Sequence, residues 1–427
     1  MFESVFDIDP GAGEAQLRAQ VEALERVKSA AAAAQARAAA AWAATRRAAE
    51  AAAGVPAAKR GRGLAAELAL ARREAPTRGG RHLGLATALV NEMPHTLAAL
   101  ESGVLSEWRA TLIVRESACL SVEHRRTLDA RLCGEPSRLH GWGDKRVAAE
   151  ARKIACELDV AAVVDRAAHA AADRRVSIRP APDTMAYVSA LLPVAQGVAV
   201  YAALTRAADT TADGRSRAQI MADTLIERVT GRPAAEPVSV AVNLVMADTT
   251  LAGDDAQPAW LAEYGPIPAG WARQLTGDAV ADADAKATLR RLYRHPASGQ
   301  LVATESRARI FPTGLARLIR LRDQTCRTPY CEAPIRHCDH ATPARDGGPT
   351  TAINGLGVCE ACNYTKEAPG WTVTTTDTNG DHTAQFHTPT GATYQSAAPP
   401  LPGPPLRRRL TLIESKLSID LVTFNAA

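Results

Sequence analysis

Four cysteines carry the clearest chemistry in this chain: Cys326 and Cys331 form a C-x4-C pair, and Cys359 and Cys362 a C-x2-C pair. Two such knuckles separated by one small loop can supply four thiolates to a tetrahedral zinc ion. Four protein sulfurs leave no open position, so an ion held there is closed to substrate and staples a module too small to build much of a core. Five of the eight cysteines fall in this one segment, which reads as metal binding in a reducing compartment and makes a cytoplasmic location the expectation. Cys338, the fifth, lies outside both pairs and is expected only to pack.

Between the knuckles lies Asp339-His340; Asn354 follows fourteen residues after the histidine, and Asn363 directly follows the last cysteine. Cutting a phosphodiester needs an activated water, a cation on the scissile phosphate and stabilisation of the leaving oxygen. Each has a candidate. Asp339 and Asn363 offer hard oxygen ligands suited to Mg2+ or Mn2+. His340 could take a proton from water, provided its second ring nitrogen is held by a hydrogen bond. Asn354, whose amide both donates and accepts, could organise the groups that orient the histidine, and Lys366 could contact a phosphate oxygen. His337, three residues before His340, would point to the opposite face of a strand. Gly347-Gly348 before Pro349 reads as a turn, and Pro343 as a strand terminator.

The segment from Cys326 to Trp371 resembles the HNH nuclease signature: an acidic residue directly before a histidine, Gly-Gly, a central asparagine, a Cys-x-x-Cys knuckle, and an Asn with a nearby Lys. It is similar to the actinobacterial group in which such a module follows a long Ala/Arg-rich domain of unknown function, the thirteen-E-twelve repeat type. Phrases such as ELALARREAP and RRVSIRPAPDTMAYVSALLP extend the likeness upstream. The resemblance implies a ββα-metal fold, with Asp339 and His340 on the first strand, Asn354 in the connecting loop, and Asn363 and Lys366 on a helix beginning near Cys359. It also implies a DNA endonuclease with His340, Asn354 and Lys366 as catalytic residues and a catalytic ion on Asp339 and Asn363. The departure is Asn363, which stands where the signature has its last histidine. That change favours magnesium or manganese over nitrogen-preferring zinc or nickel.

Between Ser306 and Arg345 there are eight arginines and three acidic residues, a local excess of +5. Within it, GLARLIRLRD reads as a helix with Leu315, Leu318 and Leu321 inward, leaving Arg317, Arg320 and Arg322 free to meet phosphates. Aromatic residues make up only 4% of the chain, so a base-stacking platform for single strands is not supported and duplex DNA is favoured. Two other readings stay open: a zinc-dependent DNA-binding module without cleavage activity, and an interaction scaffold carrying an accessory nuclease.

The elements that must position this segment occupy most of the 427 residues. Net charge is only +4, with arginine supplying 43 of the 50 basic residues, so any nucleic-acid surface must be local. The pattern predicts an α+β protein: a mainly helical N-terminal region, a small mixed part, and a C-terminal zinc-stapled module. Residues 1–55 form an Ala-rich helical arm, able to lie on the next domain or to pair in a homodimer. Residues 56–235 are expected to be mainly helical with one β-hairpin, 236–305 a mixed connection, and 306–376 the module. A Pro/Thr-rich tail over 377–427, with PPLPGPP inside it, is expected to be partly disordered. LAEYGPIPAGWARQL reads as a short helix, and LRRLYRHP with LVATES as a hairpin. The N-terminus lacks a secretory pattern, and the uncharged run from Thr184 to Thr205, broken by Pro193 and Gly197, is expected to be a buried strand, a turn and a helix, not a membrane span.

Overall fold

A 39-residue helix, α1 (Glu14–Ala52), opens the computed structural model. The structure describes residues 6–234, 243–253, 255–281, 292, 311–378 and 381–403. Alanine, the best helix former, sustains that length. It buries Ala33, Ala36, Ala39 and Ala43, spaced to share one face of the helix. The first three join a core cluster with Leu68, Leu85, Leu89 and Leu100. Those leucines come from α2 (Leu64–Ala71), α3 (Gly79–Asn91) and α4 (Pro94–Glu101), so the arm lies on its neighbours. Leu17 and Val21, near its start, are exposed.

Four more helices follow: α5 (Glu107–Ser117), α6 (Val122–Cys133), α7 (Asp144–Leu158) and α8 (Val160–Ala170). They surround a second cluster that includes Leu105, Ile113, Leu128, Leu132 and Ile154. The chain divides into two compact units, 1–174 and 175–427, so the break falls inside the segment expected to be one domain over 56–235.

The second unit begins with the expected hairpin, β1 (Arg175–Ala181) and β2 (Met185–Leu191), turning through Pro182 and Asp183. Helix α9 (Val194–Thr210) follows, then α10 (Arg217–Thr230). The order of strand, turn and helix across the uncharged run is as expected, but the strand is not buried: all seven residues of β2 are exposed. A two-stranded ribbon supplies no second layer of its own to cover its faces. A small antiparallel sheet comes next, with β3 (Leu244–Val245), β4 (Ala259–Leu261) and β5 (Gly265–Ile267) in that order; α11 (Asp248–Ala252) lies between its first two strands. Helix α12 (Ala269–Ala281) follows. LAEYGPIPAGWARQL therefore forms strand before helix, because Pro266 and Pro268 keep its first half extended. The hairpin expected from LRRLYRHP and LVATES lies outside the described residues, as do Arg307 and Arg309.

The C-terminal module starts with α13 (Thr313–Asp323), which packs on the antiparallel pair β6 (His337–His340) and β7 (Gly355–Val358). Helix α14 (Glu360–Lys366) and a three-stranded antiparallel sheet complete it, with β8 (Thr372–Thr378), β9 (Asp381–His387) and β10 (Thr393–Ala397). Leu356, Val358, Val373, Ala384 and Phe386 share one core with Cys326, Cys359 and Cys362. The sheet after the motif is thus part of the module, and the tail expected to be partly disordered over 377–427 carries strands β9 and β10 in its first part. In β9, His382, Ala384 and Phe386 are buried in alternation, the period of a half-covered strand. Residues 404–427 lie outside the described residues.

Candidate functional site

The first cysteine knuckle turns sharply because Tyr330 (φ 63°) and Glu332 (φ 51°) both take left-handed backbone around Cys331. Backbone bonds from Cys326 N to Ala333 O (2.8 Å) and from Arg327 N to Gly357 O (2.9 Å) fasten the knuckle to itself and to β7. The second knuckle opens α14, where the Cys359 sulfur accepts from Cys362 N at 3.5 Å. All four sulfurs lie within 4.8 Å of one another. Cys331 Sγ is 3.7 Å from Cys359 Sγ and 3.6 Å from Cys362 Sγ. A disulfide would need about 2 Å, whereas sulfurs at about 2.3 Å from a tetrahedral zinc sit roughly 3.8 Å apart. The four residues therefore fit a structural zinc. The four thiols share their hydrogen bonds, which push Cys359 down and Cys331 and Cys362 up, so the first proton leaves the group at Cys359. Cys338 donates to Ala316 O at 3.2 Å and packs, as expected.

Asp339 and His340 end β6, Asn354 stands just before β7, and Asn363 and Lys366 lie on α14, which packs against β6. The His340 ring is 6% exposed and tilted against Phe311, with ring centroids 4.6 Å apart. Its Nε2 meets Thr350 Oγ1 at 2.8 Å, and its Nδ1 lies 3.6 Å from Asp339 Oδ1. Asp339 accepts from His340 N at 2.9 Å and from Lys366 Nζ at 2.8 Å. Burial pushes this carboxyl up, but the hydrogen bond and charge of Lys366 outweigh it, and the group sits below the usual carboxylate range. It is an anion whose oxygens keep further lone pairs. On α14, Asn363 Oδ1 is buried without a hydrogen-bond partner. A buried carbonyl oxygen with no donor is costly to leave so, and a cation would satisfy it.

Asn354, expected to organise the groups that orient the histidine, bonds the loop that follows it: its Nδ2 donates to Thr342 O (3.0 Å) and Pro349 O (2.8 Å), while its Oδ1 accepts from Thr342 N (2.9 Å). It closes the loop that follows His340 on itself, and the hydroxyl of Thr350 holds the ring. Gly348 makes that closure possible, since a Cβ there would stand 1.8 Å from Thr342 O and 2.8 Å from Asn354 Nδ2. Lys366, expected on a phosphate oxygen, is 7% exposed and lies between Asp339 Oδ2 and Glu367 Oε1, at 2.8 Å from each. Arg345 pairs with the other oxygen of Glu367 at 2.6 Å.

Helix α13 is rotated relative to the expected stripe. Leu315, Ile319, Arg322 and Asp323 are buried, whereas Leu318 and Leu321 are half-buried. Arg317 and Arg320 are exposed, as a phosphate contact requires. Arg322 is 3% exposed, so its assignment as a nucleic-acid contact is corrected. It pairs with Asp323 at 2.7 and 3.0 Å and donates to the carbonyls of Ala352 and Gly355. Arg327 is equally buried, donating to Asp323 (2.9 Å) and Ser396 O (2.8 Å). The local arginine excess is therefore partly internal.

Residues 21–323 match the model of a family described as a domain of unknown function, DUF222, and the chain belongs to that family. The matched region ends at Asp323, the last residue of α13, three residues before the first zinc-site cysteine. No curated protein matches the chain, and no solved structure matches it. Among the described residues no helix is long and apolar enough to cross a membrane.

Proposed function

We propose that the C-terminal module is an HNH-type ββα-metal endonuclease that hydrolyses phosphodiester bonds in DNA, stapled by zinc on Cys326, Cys331, Cys359 and Cys362. The observation that carries the reading is the pairing of an ionised Asp339 and a held His340 on β6 with the unpartnered, buried Oδ1 of Asn363 on the adjoining helix. Asp339 and Asn363 would hold one Mg2+ or Mn2+ ion, whose charge would polarise the scissile phosphate and ease departure of the leaving oxygen. In the tautomer whose Nε2–H donates to Thr350 Oγ1, His340 has its lone pair on Nδ1, where it would take the proton of the attacking water. Asn354 fixes the loop that carries Thr350, and Lys366 balances the charge of Asp339 at the site's edge. Arg317 and Arg320 on α13 offer exposed cations to the backbone of duplex DNA. Eight cysteines without a disulfide, four of them assigned to zinc, suit work in a reducing cytoplasm.

A second reading, a zinc-dependent DNA-binding module that does not cut, draws on the Lys366–Asp339 ion pair, which engages the carboxylate assigned to the ion. Supercoiled plasmid incubated with the full chain and Mn2+ separates the two. Nicked circles that vanish in His340→Ala support the nuclease; retarded but uncut plasmid at every metal concentration supports the binding module.

A further inference from the structure

The carbonyls that carry Asn354 are held from two places outside the motif. Arg322, on the last helix of the family domain, donates to Ala352 O and, at 2.7 Å, to Gly355 O. His382, on β9 beyond the motif, reaches Ile353 O through Nε2 at 2.8 Å. Ala341 N takes the remaining carbonyl, Asn354 O, at 2.7 Å. Every backbone carbonyl from Ala352 to Gly355 is thus engaged. Arg327 lies 3.2 Å from His382 Nδ1 and can only donate, so Nδ1 accepts and Nε2 bears the hydrogen that points at Ile353. Asp323 links the two clamps, receiving both Arg322 and Arg327 on Oδ1 and Gly357 N, at 2.7 Å, on Oδ2.

The clamped backbone leads to the reacting histidine by short steps. Asn354 N donates to Thr351 Oγ1 at 3.0 Å, and the Asn354 amide brackets Thr342, two residues beyond His340. Thr350, beside Thr351, touches His340 Nε2. A shift of the loop would therefore carry Thr350 off the imidazole without disturbing the four sulfurs.

We infer that Arg322 and His382 are positioning residues for the cleavage centre, so that residues 326–371 are incomplete without the last helix of the family domain before them and strand β9 after them. The inference rests on the nuclease reading of the site. The apolar alternative at either position would fill the same space, but could not hold these carbonyls.

The test uses the full chain with Arg322→Lys, which keeps the charge but loses the two-pronged grip, and with His382→Leu and His382→Gln. Plasmid nicking, bound zinc and amide exchange over residues 341–356 are measured on the same samples. Arg322→Lys and His382→Leu should lower kcat roughly 10- to 100-fold, the scale of an ångström misplacement, with KM for DNA and zinc content unchanged and loop exchange faster. His382→Gln, which can still donate to Ile353 O, should recover most of that loss. The inference is overturned if the variants nick within about twofold of wild type, or if the loss appears in KM with no change in loop exchange. Should Arg322→Lys fail to fold, the two His382 variants decide. Should wild type not cut at all, the nuclease reading fails by itself, and the exchange rates still judge the clamp: faster in His382→Leu and restored in His382→Gln supports it, unchanged rates refute it.

Discussion

The helical unit of residues 1–174 and the C-terminal module are filled in different ways. In the first, fully buried Met93, Leu100, Leu105, Ile113, Leu128, Leu132 and Ile154 make two large apolar clusters, with isolated buried carboxylates such as Asp129, which accepts from His95 N and Thr96 N, and Glu67, which pairs with Arg46. In the second, a small group around Leu356, Val358 and Phe386 shares its space with three buried cysteines, and the neighbouring interior holds Arg322, Asp323, Arg327 and His382. Apolar area tolerates the loss of one side chain better than a centre where each sulfur and charge completes another group. On the zinc reading, the module gains rigid placement of its loops at the cost of depending on metal and on protonation state.

The largest expected break in that comparison is removal of the zinc site. Cys359→Ser, or a strong chelator, should unfold the module, since structural zinc supplies about 10 kcal/mol or more of folding free energy in comparable small sites. Amide exchange should then show β7 and β9 unprotected while α5 to α7 keep their protection; protection retained in β7 would show that the sulfurs do not staple the module. In the helical unit, Ile113→Ala should cost about 2–5 kcal/mol in denaturant unfolding and leave bound zinc unchanged. A loss of zinc in that variant would show the two regions to be less independent than their cores suggest.

The next effect sharpens the contrast through pH. Burial, with the nearby Arg322 and Arg327 charges, pushes His382 down to about 4, against the hydrogen bond to Ile353 and the Asp323 charge that favour its proton. The unfolded histidine takes a proton near pH 6.5 and the folded one does not until about pH 4. Stability is therefore full above about pH 6.5 and is lost as pH falls toward 4, by roughly 3 kcal/mol at the end of that window. Unfolding of the module, followed in His382→Gln beside wild type, should show this loss only in wild type. An identical pH dependence would remove His382 as its source.

The cysteine knuckles, Asp339-His340 and Asn363 were legible because their chemistry depends on residue type at short spacing. The long Ala-rich helix was legible because propensity and a repeating apolar face agree over its length. Arg322 was misread: the sequence GLARLIRLRD shows a helical stripe but not its phase, and an arginine on the inner edge becomes visible only with Asp323 and the carbonyls it meets. Thr350 left no signal, being a hydroxyl in a loop ten residues after His340 whose contact depends on how Asn354 closes that loop. The strands after Trp371 were missed because their inward positions include Ala384 and His382, small or polar residues that hide the alternation. The exposed β2 was misread for the opposite reason, an apolar run whose burial was assumed from composition alone.

One chain holding two metals with different ligand chemistry would be seen by titrating zinc-loaded full-length protein with Mn2+ while counting both ions. Wild type should bind about one Mn2+ beside about one zinc per chain, and Asn363→Ala should lose the Mn2+ while keeping the zinc. A wild type that takes up no Mn2+, or an Asn363→Ala variant that binds it as wild type does, would rule out a second metal on Asp339 and Asn363.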